Sequence, residues 1–420
     1  MAYIERVGDG LLSALLGEFP AVLVIGPRAC GKTTTARRHA RSMIRLDRES
    51  EAVAARADPD GALDVPRPVL IDEWQLAPAI LGSVKRVVDE RPGPGAFVIT
   101  GSVRADMTAQ GWPLTGRALR LAMYGLTERE IEGRARQPSV IDRLGSVGVG
   151  ALTAPATALT LDEYLHRAVR GGFPDAVVAP SESVRRRWLA AYVEQLLRRD
   201  TDLVDPGRDP VRLSRYLRAV CANTAGVVSD STIVESAGVN RETALSYGLL
   251  LANLFVIDEV PAWWTNRLKR LVQMRKRYVV DTGVLASVLG VTASSIRTDG
   301  DMLGRLLDTF VMAQLRAEAA VSEAQPGIFH VRTQEGRHEV DILLEFGSGA
   351  IFGIEVKVSG APVRRDAIHL EWLRDQVGSA FIGGVVLHTG PRRYPLADRI
   401  VAAPISSLWS AGPDAAEAAS

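Results

Sequence analysis

A glycine-containing loop near the start of the chain has residue types and spacing that suit phosphate binding. The residues from 26 to 33 spell GPRACGKT, which fits G-x-x-x-x-G-K-[ST] after a short apolar run. Glycines let the backbone curl toward phosphate oxygens, Lys32 would reach the β- and γ-phosphates in catalysis, and the Thr33 hydroxyl would bind Mg²⁺. The sequence therefore predicts an ATP site formed by Gly26, Pro27, Arg28, Ala29, Cys30, Gly31, Lys32, Thr33 and Thr34.

An acidic pair follows the next apolar run. Val69–Ile71 ends in Asp72 and Glu73, an arrangement that delivers carboxylates beside bound phosphates. We expect Asp72 to hold Mg²⁺ through water and Glu73 to polarise the attacking water as the catalytic base. The alternative is an acidic strand end that caps the following helix.

Two further positions would complete this site. The apolar run Ala96–Thr100 leads into Ser102, and either Thr100 or Ser102 would sense the γ-phosphate, unless it only caps the next helix. Arg117 is our candidate for an arginine finger, a role that requires a neighbouring subunit or a folded-back loop.

A second group of acids with a lysine lies near the C-terminal end. Asp341 opens one apolar segment, and Glu355 and Lys357 close the next, on one face if both segments are strands. Carboxylates on adjacent strands can bind Mg²⁺ or Mn²⁺ and activate water, so we expect Asp341, Glu355 and Lys357 to be catalytic, with the two acids as metal ligands. Asp308, in a preceding helical segment, would add another ligand. The alternative is an amphipathic hairpin with charges on its wet face.

The segment 231–277 combines a helix-turn-helix pattern with basic and aromatic residues. Ser231–Ala237, a turn ending at Asn240, and Arg241–Leu254 precede the strand-like Phe255–Val260, as in a helix-turn-helix with a wing. This pattern predicts DNA contact of low sequence specificity, whereas the alternative is a packing module with a solvated basic ribbon. The basic residues are Arg267, Lys269, Arg270, Arg275, Lys276 and Arg277, and they follow Trp263 and Trp264.

Composition limits these interpretations. The chain has 420 residues, and its 50 basic and 49 acidic residues nearly cancel, so any nucleic-acid contact must be local. Two cysteines make no disulfide framework, and we find neither a signal peptide nor an apolar run of the ~20 residues that a membrane helix needs. We therefore expect a soluble cytoplasmic protein with no membrane partner.

Lysine is rare here, with five residues among the 50 basic ones. Lys32 and Lys357 lie in the two predicted phosphate-handling sites, where a compact charge is useful. Lys269 and Lys276 lie in the basic ribbon, where we expect that Arg would serve equally well, and Lys85 is expected at the surface.

The elements that must position these residues alternate between strands and helices. Strands at Ala21–Ile25, Val69–Ile71 and Ala96–Thr100, with helices at Thr33–Ser42 and Ile80–Glu90, favour an α/β domain with a parallel sheet. Residues 133–158 are Gly-, Ala- and Ser-rich and indicate a loop or linker. The predicted elements beyond it are helices within 161–203 and 303–320, strands at Gly327–Thr333, Glu339–Phe346, Ile351–Val358 and Phe381–His388, and a helix at Arg364–Val377.

These segments together resemble a known family, the prokaryotic AAA-type ATPases with a C-terminal domain of unknown function related to PD-(D/E)xK nucleases. The matching segments are GPRACGKT, VLIDEWQ, FVITGS, LTGR, GGFPDA, YVEQLLRRD, YVVDTGVL, GRLLDTFV and EVDILLE…GIEVK. The resemblance implies an α/β fold class with an AAA-type P-loop ATPase domain (1–150), a helical lid (151–205), a winged helix-turn-helix (206–285) and a nuclease-like domain (286–420). Family members usually have Glu where this chain has Asp308.

The leading hypothesis is an ATPase that uses ATP and Mg²⁺ to act on nucleic acid. A second hypothesis is a nucleotide-gated regulatory protein with an inert nuclease-like domain and a protein partner, and a third is a metal-dependent nuclease with ATP as a switch. A homo-oligomer, in a ring by analogy with AAA-type ATPases, is also expected.

Overall fold

The structure, a computed structural model, describes residues 3–104, 112–200, 209–263, 274–333 and 337–410. Half of the predicted basic ribbon, Arg267, Lys269 and Arg270, lies outside these residues, as does Trp264. The residues predicted for the ATP site and for the C-terminal carboxylates are all described.

The N-terminal sheet has five parallel strands in the spatial order β2-β3-β4-β1-β5. The central strands are buried on both faces, which is why they are continuous apolar runs in the sequence. The two edge strands are partly exposed and each contains an arginine, so no apolar run indicates them. The strands are β1 (Ala21–Ile25), β2 (Ser42–Arg45), β3 (Val69–Asp72), β4 (Phe97–Gly101) and β5 (Ala118–Ala122).

Helices cover both faces of this sheet. Alternate residues of β1 accordingly belong to two different apolar clusters, one on each face. The predicted helix Thr33–Ser42 is too long, since the helix ends at Arg37 and Ser42 begins β2. The helices are α1 (Asp9–Glu18), α2 (Lys32–Arg37), α3 (Glu49–Ala57), α4 (Pro59–Ala62), α5 (Ile80–Glu90) and α6 (Glu128–Ile131), with a 3-10 turn at Trp74–Leu76.

The prediction of a loop or linker at 133–158 is wrong for its central part. Ser139 caps helix α7 (Val140–Val147), which a 3-10 turn (Gly148–Ala151) follows. The glycine at 145 is a packing position, because a Cβ there would lie 2.9 Å from the ring of Phe346 in the C-terminal domain. This glycine therefore allows α7 to approach Phe346 closely.

The middle of the chain is helical and ends in a two-stranded sheet. Helices α12 and α13 are joined by a short turn, and the antiparallel strands β6 and β7 follow them. Asn240 accepts a hydrogen bond from the backbone N–H of Thr243 and so caps α13. The elements are α8 (Leu161–Arg170), α9 (Pro174–Val177), α10 (Glu182–Gln195), a π turn (Leu196–Asp200), α11 (Pro210–Ala222), α12 (Asp230–Ala237), α13 (Arg241–Asn253), β6 (Ile257–Val260), β7 (Lys276–Val279), α14 (Thr282–Leu289) and α15 (Ala293–Ile296).

A long buried helix leads into a second sheet of six strands, in the order β12-β13-β11-β10-β9-β8. β10 pairs in parallel with β11 and antiparallel with β9. The predicted strands in this region are confirmed to within two residues, and β12 and β13 were not predicted. The elements are α16 (Gly300–Ala319), β8 (Gly327–Arg332), β9 (Glu339–Glu345), β10 (Ile351–Val356), a 3-10 turn (Arg364–Ala367), α17 (Ile368–Val377), a 3-10 turn (Gly378–Ala380), β11 (Phe381–His388), β12 (Tyr394–Ala397), β13 (Ile400–Pro404) and a 3-10 turn (Ile405–Leu408).

One apolar core connects these parts. It runs from one face of the N-terminal sheet through the middle helices to one face of the C-terminal sheet. Tyr164 on α8 also donates a hydrogen bond to Ser406 at 2.8 Å, which joins the middle helices to the end of the chain. The charged groups of the two candidate sites are therefore held by a shared framework.

Candidate functional site

The phosphate-binding loop joins β1 to α2, and its backbone takes turns that small residues permit. A side chain at Gly26 would put a Cβ 1.8 Å from the carbonyl oxygen of Met123. Ala29 and Gly31 have φ angles of 61° and 102°. Left-handed residues alternating with right-handed ones form the backbone concavities that bind anions.

The Lys32 ammonium lies across this loop. Its Nζ donates hydrogen bonds to the carbonyl oxygens of Gly26 at 3.0 Å and Pro27 at 2.7 Å, and to Ser102 Oγ at 3.0 Å. Lys32 is only 4% exposed. Its charge is therefore directed into the loop, where a phosphate would meet it.

Asp72 collects hydroxyl groups from two neighbouring elements. Thr33 donates to its Oδ1 at 2.7 Å, and Thr100 donates to the same atom at 2.5 Å. The contacts follow from the strand order, because β4 lies between β1 and β3. The Thr33 hydroxyl and Asp72 carboxylate are hard oxygen ligands side by side, and they fit a Mg²⁺ ion bound with a nucleotide.

Both carboxylate oxygens of Glu73 are engaged. Ser102 donates to Oε1 at 2.9 Å, and the side-chain amide of Gln75 donates to Oε2. Glu73 also has a φ angle of 58°, which is uncommon for a residue with a side chain. Ser102 thus links Lys32 to Glu73, as its position after β4 allows. Gln75 was not predicted, since nothing in its spacing distinguishes it from a residue of the following turn.

The other predicted loop residues have less direct positions. The Arg28 carbonyl oxygen accepts a hydrogen bond from Tyr192 on α10 at 3.4 Å, and the buried Cys30 thiol faces the Met123 carbonyl oxygen at 3.4 Å. Ala29 and Thr34 are exposed. The loop is therefore in contact with the middle helices.

Arg117 does not join this site in its own chain. It precedes β5 next to the start of β1, whereas the loop follows the end of β1, about 17 Å away along a five-residue strand. There it forms an ion pair with Asp89 at 2.5 Å, which raises the pKa of the guanidinium. The prediction that Arg117 contacts nucleotide is corrected for this chain. Arg117 lies at the edge of the sheet where the parallel strands begin, whereas the phosphate loop lies at the edge where they end.

A buried arginine supports the loop from behind. Arg6 donates to the Cys30 carbonyl oxygen at 2.7 Å and forms an ion pair with Glu130 at 2.8 Å. Burial opposes its charge, but Glu130 and other neighbours raise its pKa. The adjacent Arg129 forms an ion pair with Glu318 on α16 at 2.8 Å. These contacts join the loop to the C-terminal half, and no sequence pattern indicated them.

The strand that ends near Ser102 is also tied to the two-stranded sheet. Arg104 donates to Asp258 on β6 at 2.9 Å, and its backbone N–H donates to the carbonyl oxygen of Asn253 at the end of α13 at 2.8 Å. Asp258 also accepts from Arg316 on α16 at 2.8 Å. Burial opposes ionisation of Asp258, but Arg316 and Arg104 lower its pKa.

The predicted C-terminal residues converge as expected from their spacing. Lys357 donates to Glu355 at 2.9 Å, and Asp341 accepts from the backbone N–H of Val356 at 3.0 Å across the β9–β10 pair. Asp308 reaches the same region from α16. The other oxygen of Glu355, Oε1, is buried and has no hydrogen-bond partner within the described part of the chain.

A residue that we assigned to the basic ribbon lies at the centre of this group. Lys276 donates to Asp308 at 2.7 Å and to Asp341 at 3.1 Å, and it is only 1% exposed. Tyr278, two residues along β7, donates to the second oxygen of Asp308 at 3.0 Å. The prediction that Lys276 belongs to an accessible basic ribbon, whether that ribbon contacts DNA or only solvent, is therefore wrong, because β7 directs Lys276 into the domain.

Burial and charge shape the ionisation of this group. Burial raises the pKa of Asp308 to about 6, and burial and Asp341 hold the pKa of Glu355 well above its usual range. Burial opposes ionisation of Asp341, but Lys276 lowers its pKa. Burial disfavours the ammonium of Lys276, yet Asp308 and Asp341 raise its pKa. Lys276 is thus a charged partner for two acids.

The predicted metal ligands do not fit a divalent cation as they lie. Asp308 and Asp341 face an ammonium group where such an ion would need their oxygens. Among the described residues, no three His, Cys, Asp or Glu side chains are disposed to hold one metal ion. The roles predicted for Asp308, Asp341 and Glu355 as ligands therefore depend on where Lys276 lies.

The helix-turn-helix segment presents an open groove beside β6 and β7. The groove has a volume of about 700 Å³. Leu245 and Leu249 on α13 line it and are 65% and 60% exposed. Arg275 and Arg277 line it too, but both form ion pairs with Glu259. The described half of the basic ribbon is therefore largely neutralised.

Comparisons with known proteins agree with the N-terminal geometry. The model of the AAA domain matches residues 18–132. Two models described as domains of unknown function, DUF8612 and DUF4143, match residues 161–295 and 303–408. In the part of the chain that the structure describes, we find no helix that is long and apolar enough to span a membrane.

The chain is similar to two mycobacterial proteins and to one archaeal structure. It is 28% identical over 415 residues to the uncharacterized proteins Mb2031c of Mycobacterium bovis and Rv2008c of Mycobacterium tuberculosis, which covers 97% of this chain and 85% of each relative. The Walker-type ATPase PABY2304 of Pyrococcus abyssi is 15% identical, with a TM-score of 0.46 over 69% of this chain and 96% of that chain. The AAA-domain match and the loop geometry together support an AAA-type P-loop ATPase domain in this chain, and ATPase activity.

Proposed function

We propose that this chain is a Mg²⁺-dependent ATPase that works as a switch, in which the nucleotide changes the position of the helix-turn-helix segment and the β6–β7 sheet. Bound Mg²⁺ would neutralise phosphate charge, and Thr33 and Asp72 would hold it. Lys32 would bind the β- and γ-phosphates, and Glu73 would orient the attacking water.

Ser102 would report on the γ-phosphate in this proposal. It accepts from Lys32 and donates to Glu73, so a phosphate that draws Lys32 away must change the partners of Ser102. In the structure both oxygens of Glu73 are occupied, by Ser102 and Gln75. In this proposal, nucleotide binding would change these contacts and release the base.

The observation that carries the proposal is the contact of Arg104 with Asp258. Arg104 lies two residues after Ser102, and its guanidinium is held by β6 while its backbone N–H is held by the end of α13. A shift at the end of β4 would therefore pull on both parts of the helix-turn-helix segment. Coupling between sites requires an element of this kind that both sites can bias.

Nucleic acid is the proposed partner of this segment. Two helices are joined by a turn, Asn240 caps the second helix, and an antiparallel pair of strands follows. These features support a winged helix-turn-helix. Its contacts would be mainly to the phosphate backbone, since the outer face of α13 exposes Leu245 and Leu249 and offers few side chains for base edges apart from Arg241 and Glu242 at its start. A homo-oligomer, with an arginine supplied by a neighbouring subunit, belongs to the same proposal.

A protein partner is the second candidate, and the exposed Leu245 and Leu249 favour it. Large apolar side chains exposed side by side in a groove are more typical of a protein contact than of a phosphate contact. The paired state of Arg275 and Arg277 also removes two charges from the proposed DNA surface.

ATP turnover measured with and without single-stranded and duplex DNA at low salt tests the proposal. We expect turnover that needs Mg²⁺ and that DNA stimulates. If DNA neither binds the protein nor alters its ATP turnover, nucleic acid is removed from the proposal and the protein partner remains. Absence of any ATP turnover would contradict the ATPase activity itself.

A further inference from the structure

Lys276 reaches the C-terminal carboxylates from a different part of the chain. It lies on β7, which pairs with β6, whereas Asp308 is on α16 and Asp341 is on β9. Its Nζ is 2.7 Å from Asp308 and 3.1 Å from Asp341 and also lies 3.3 Å from the Asp341 carbonyl oxygen. Three oxygen atoms from two elements thus surround one ammonium group.

Strand alternation explains why this residue differs from its neighbours. Lys276 and Tyr278 project from one face of β7, toward α16, and both contact Asp308. Arg277 projects from the other face and pairs with Asp230 and Glu259. Among the described residues, the basic cluster is therefore split between the two faces of β7, and Lys276 is the member that enters the domain.

One end of the β6–β7 sheet, the end at which Lys276 lies, is fixed to the C-terminal sheet through both strands. Before β7, the Met274 carbonyl oxygen contacts Nε2 of His330 on β8 at 3.2 Å. After β6, the backbone N–H of Trp263 donates to the His330 carbonyl oxygen at 2.7 Å. The backbone N–H of His330 donates to the Pro261 carbonyl oxygen at 3.1 Å. Withdrawal of Lys276 would break these contacts together with the buried ion pairs.

The charges nearly balance without any bound ion. Three carboxylates, Asp308, Asp341 and Glu355, face two ammonium groups, Lys276 and Lys357. Of the six oxygen atoms on these carboxylates, Oε1 of Glu355 is the buried one without a hydrogen-bond partner in the described residues. A divalent cation needs several oxygens at roughly 2.0–2.6 Å, and here two of the acids already bind an ammonium.

We propose that Lys276 is a built-in counter-cation that takes the place of a divalent metal ion in this cluster, so that the C-terminal domain anchors the β6–β7 sheet instead of cleaving phosphodiesters with a metal. The proposal does not depend on ATP hydrolysis. It assigns to Lys276 a role that suits a compact ammonium better than a planar guanidinium, because a single Nζ atom lies 2.7 Å from Asp308 and 3.1 Å from Asp341.

Mn²⁺ binding measured by electron paramagnetic resonance tests this proposal, first on the wild-type chain and Glu355→Gln. We expect the two proteins to bind the same number of Mn²⁺ ions, both without nucleotide and with ATP. A Mn²⁺ ion that the wild type binds and Glu355→Gln loses, in either condition, would overturn the proposal.

A second pair of variants tests the same proposal by removing the ammonium group of Lys276. Lys276→Met removes the ammonium, and we expect it to bind one Mn²⁺ more than the double variant Lys276→Met/Glu355→Gln, with a melting temperature that Mn²⁺ raises. A folded Lys276→Met that gains no Mn²⁺ site over the double variant would contradict the proposal. If Lys276→Met does not fold, the comparison of the wild type with Glu355→Gln decides alone.

Discussion

The guanidinium of Arg104 donates a hydrogen bond to the carboxylate of Asp258 at 2.9 Å, and this contact joins the two halves of the molecule. Arg104 follows the strand whose end carries Ser102, while Asp258 lies on β6. Asp258 is shared with Arg316 of α16, the helix that also supplies Asp308. A change at the nucleotide thus has a short path of direct contacts to the β6–β7 sheet.

Loss of this contact should uncouple the two halves. We expect Arg104→Ala to keep basal ATP turnover within about twofold while the stimulation by DNA disappears, because Arg104 touches β6 and not the phosphate loop. Arg86→Ala is the matched control, since Arg86 on α5 forms an exposed ion pair with Asp60 at 2.8 Å, away from β6 and from the basic ribbon. Equal loss of stimulation in both variants would contradict the proposed path.

Substitutions of Lys32 and of Glu73 should differ in their effects on nucleotide binding and on ATP turnover. We expect Lys32→Ala to weaken nucleotide binding and lower turnover by on the order of 100-fold or more, since a charged donor to the phosphates is lost. Glu73→Gln should lower turnover by a similar factor but retain nucleotide binding, because only the base is removed. Turnover by phosphate release and binding of a fluorescent ATP analogue measure the two quantities.

Lys85→Ala is the control for these variants, because Lys85 lies on the exposed face of α5 with only a 3.8 Å contact to Asp89. It should leave both quantities unchanged. Unchanged turnover in Glu73→Gln would show that another group activates the water.

Gln75 should restrain Glu73 in the resting state. Its amide donates to one carboxylate oxygen, and Ser102 donates to the other. If the Gln75 contact is worth about 1 kcal/mol, Gln75→Ala should raise basal kcat by about fivefold with little change in KM. A lower kcat would indicate instead that Gln75 holds Glu73 in its working position.

The buried His330 should make stability depend on pH below neutrality. Burial lowers its pKa to about 4, and the charges of Lys276 and Arg332 act in the same direction, although Asp341 and the Met274 carbonyl oxygen oppose them. The unfolded chain therefore binds a proton between pH 6.5 and 4 that the folded chain does not, so stability falls as pH falls through this window. The full effect is at most about 3.5 kcal/mol, from ~1.4 kcal/mol per pKa unit.

Urea unfolding at several pH values measures this effect. We expect His330→Gln to show a shallower loss of stability between pH 6.5 and 4 than the wild type. His166→Gln, at an exposed position of α8, should follow the wild-type slope. Parallel slopes for the wild type and His330→Gln would rule out the assigned contribution.

The sequence was most informative about residues that lie on a strand or directly after it, because their positions follow from that strand alone. The loop between β1 and α2 and the acids after β3 follow buried strands, and alternation puts Glu355 and Lys357 on one face, as their contact at 2.9 Å shows. These features depend on local spacing. The parallel sheet could be predicted for the same reason, because its central strands are continuous apolar runs.

Contacts between distant segments could not be predicted. Lys276 and Asp308 are 32 positions apart, and Arg6 and Glu130 are 124 apart, so no local period relates them. The basic surroundings of Lys276 even pointed to the wrong environment, since strand alternation turns it inward while Arg277 faces out. The sequence left open a folded-back loop that carries Arg117 into the site, because the edge strand β5 that follows Arg117 contains an arginine and no apolar run indicates it.

Amide hydrogen exchange with and without ATP tests the central claim most directly. In Glu73→Gln, which should bind ATP without hydrolysing it, we expect ATP to change the exchange rates of β6 (Ile257–Val260) and of the end of α13, as well as those of the phosphate loop. The same change should be absent from Glu73→Gln/Arg104→Ala, although the loop still responds. A response confined to the loop in Glu73→Gln, or an equal response of β6 with and without Arg104, would contradict the account.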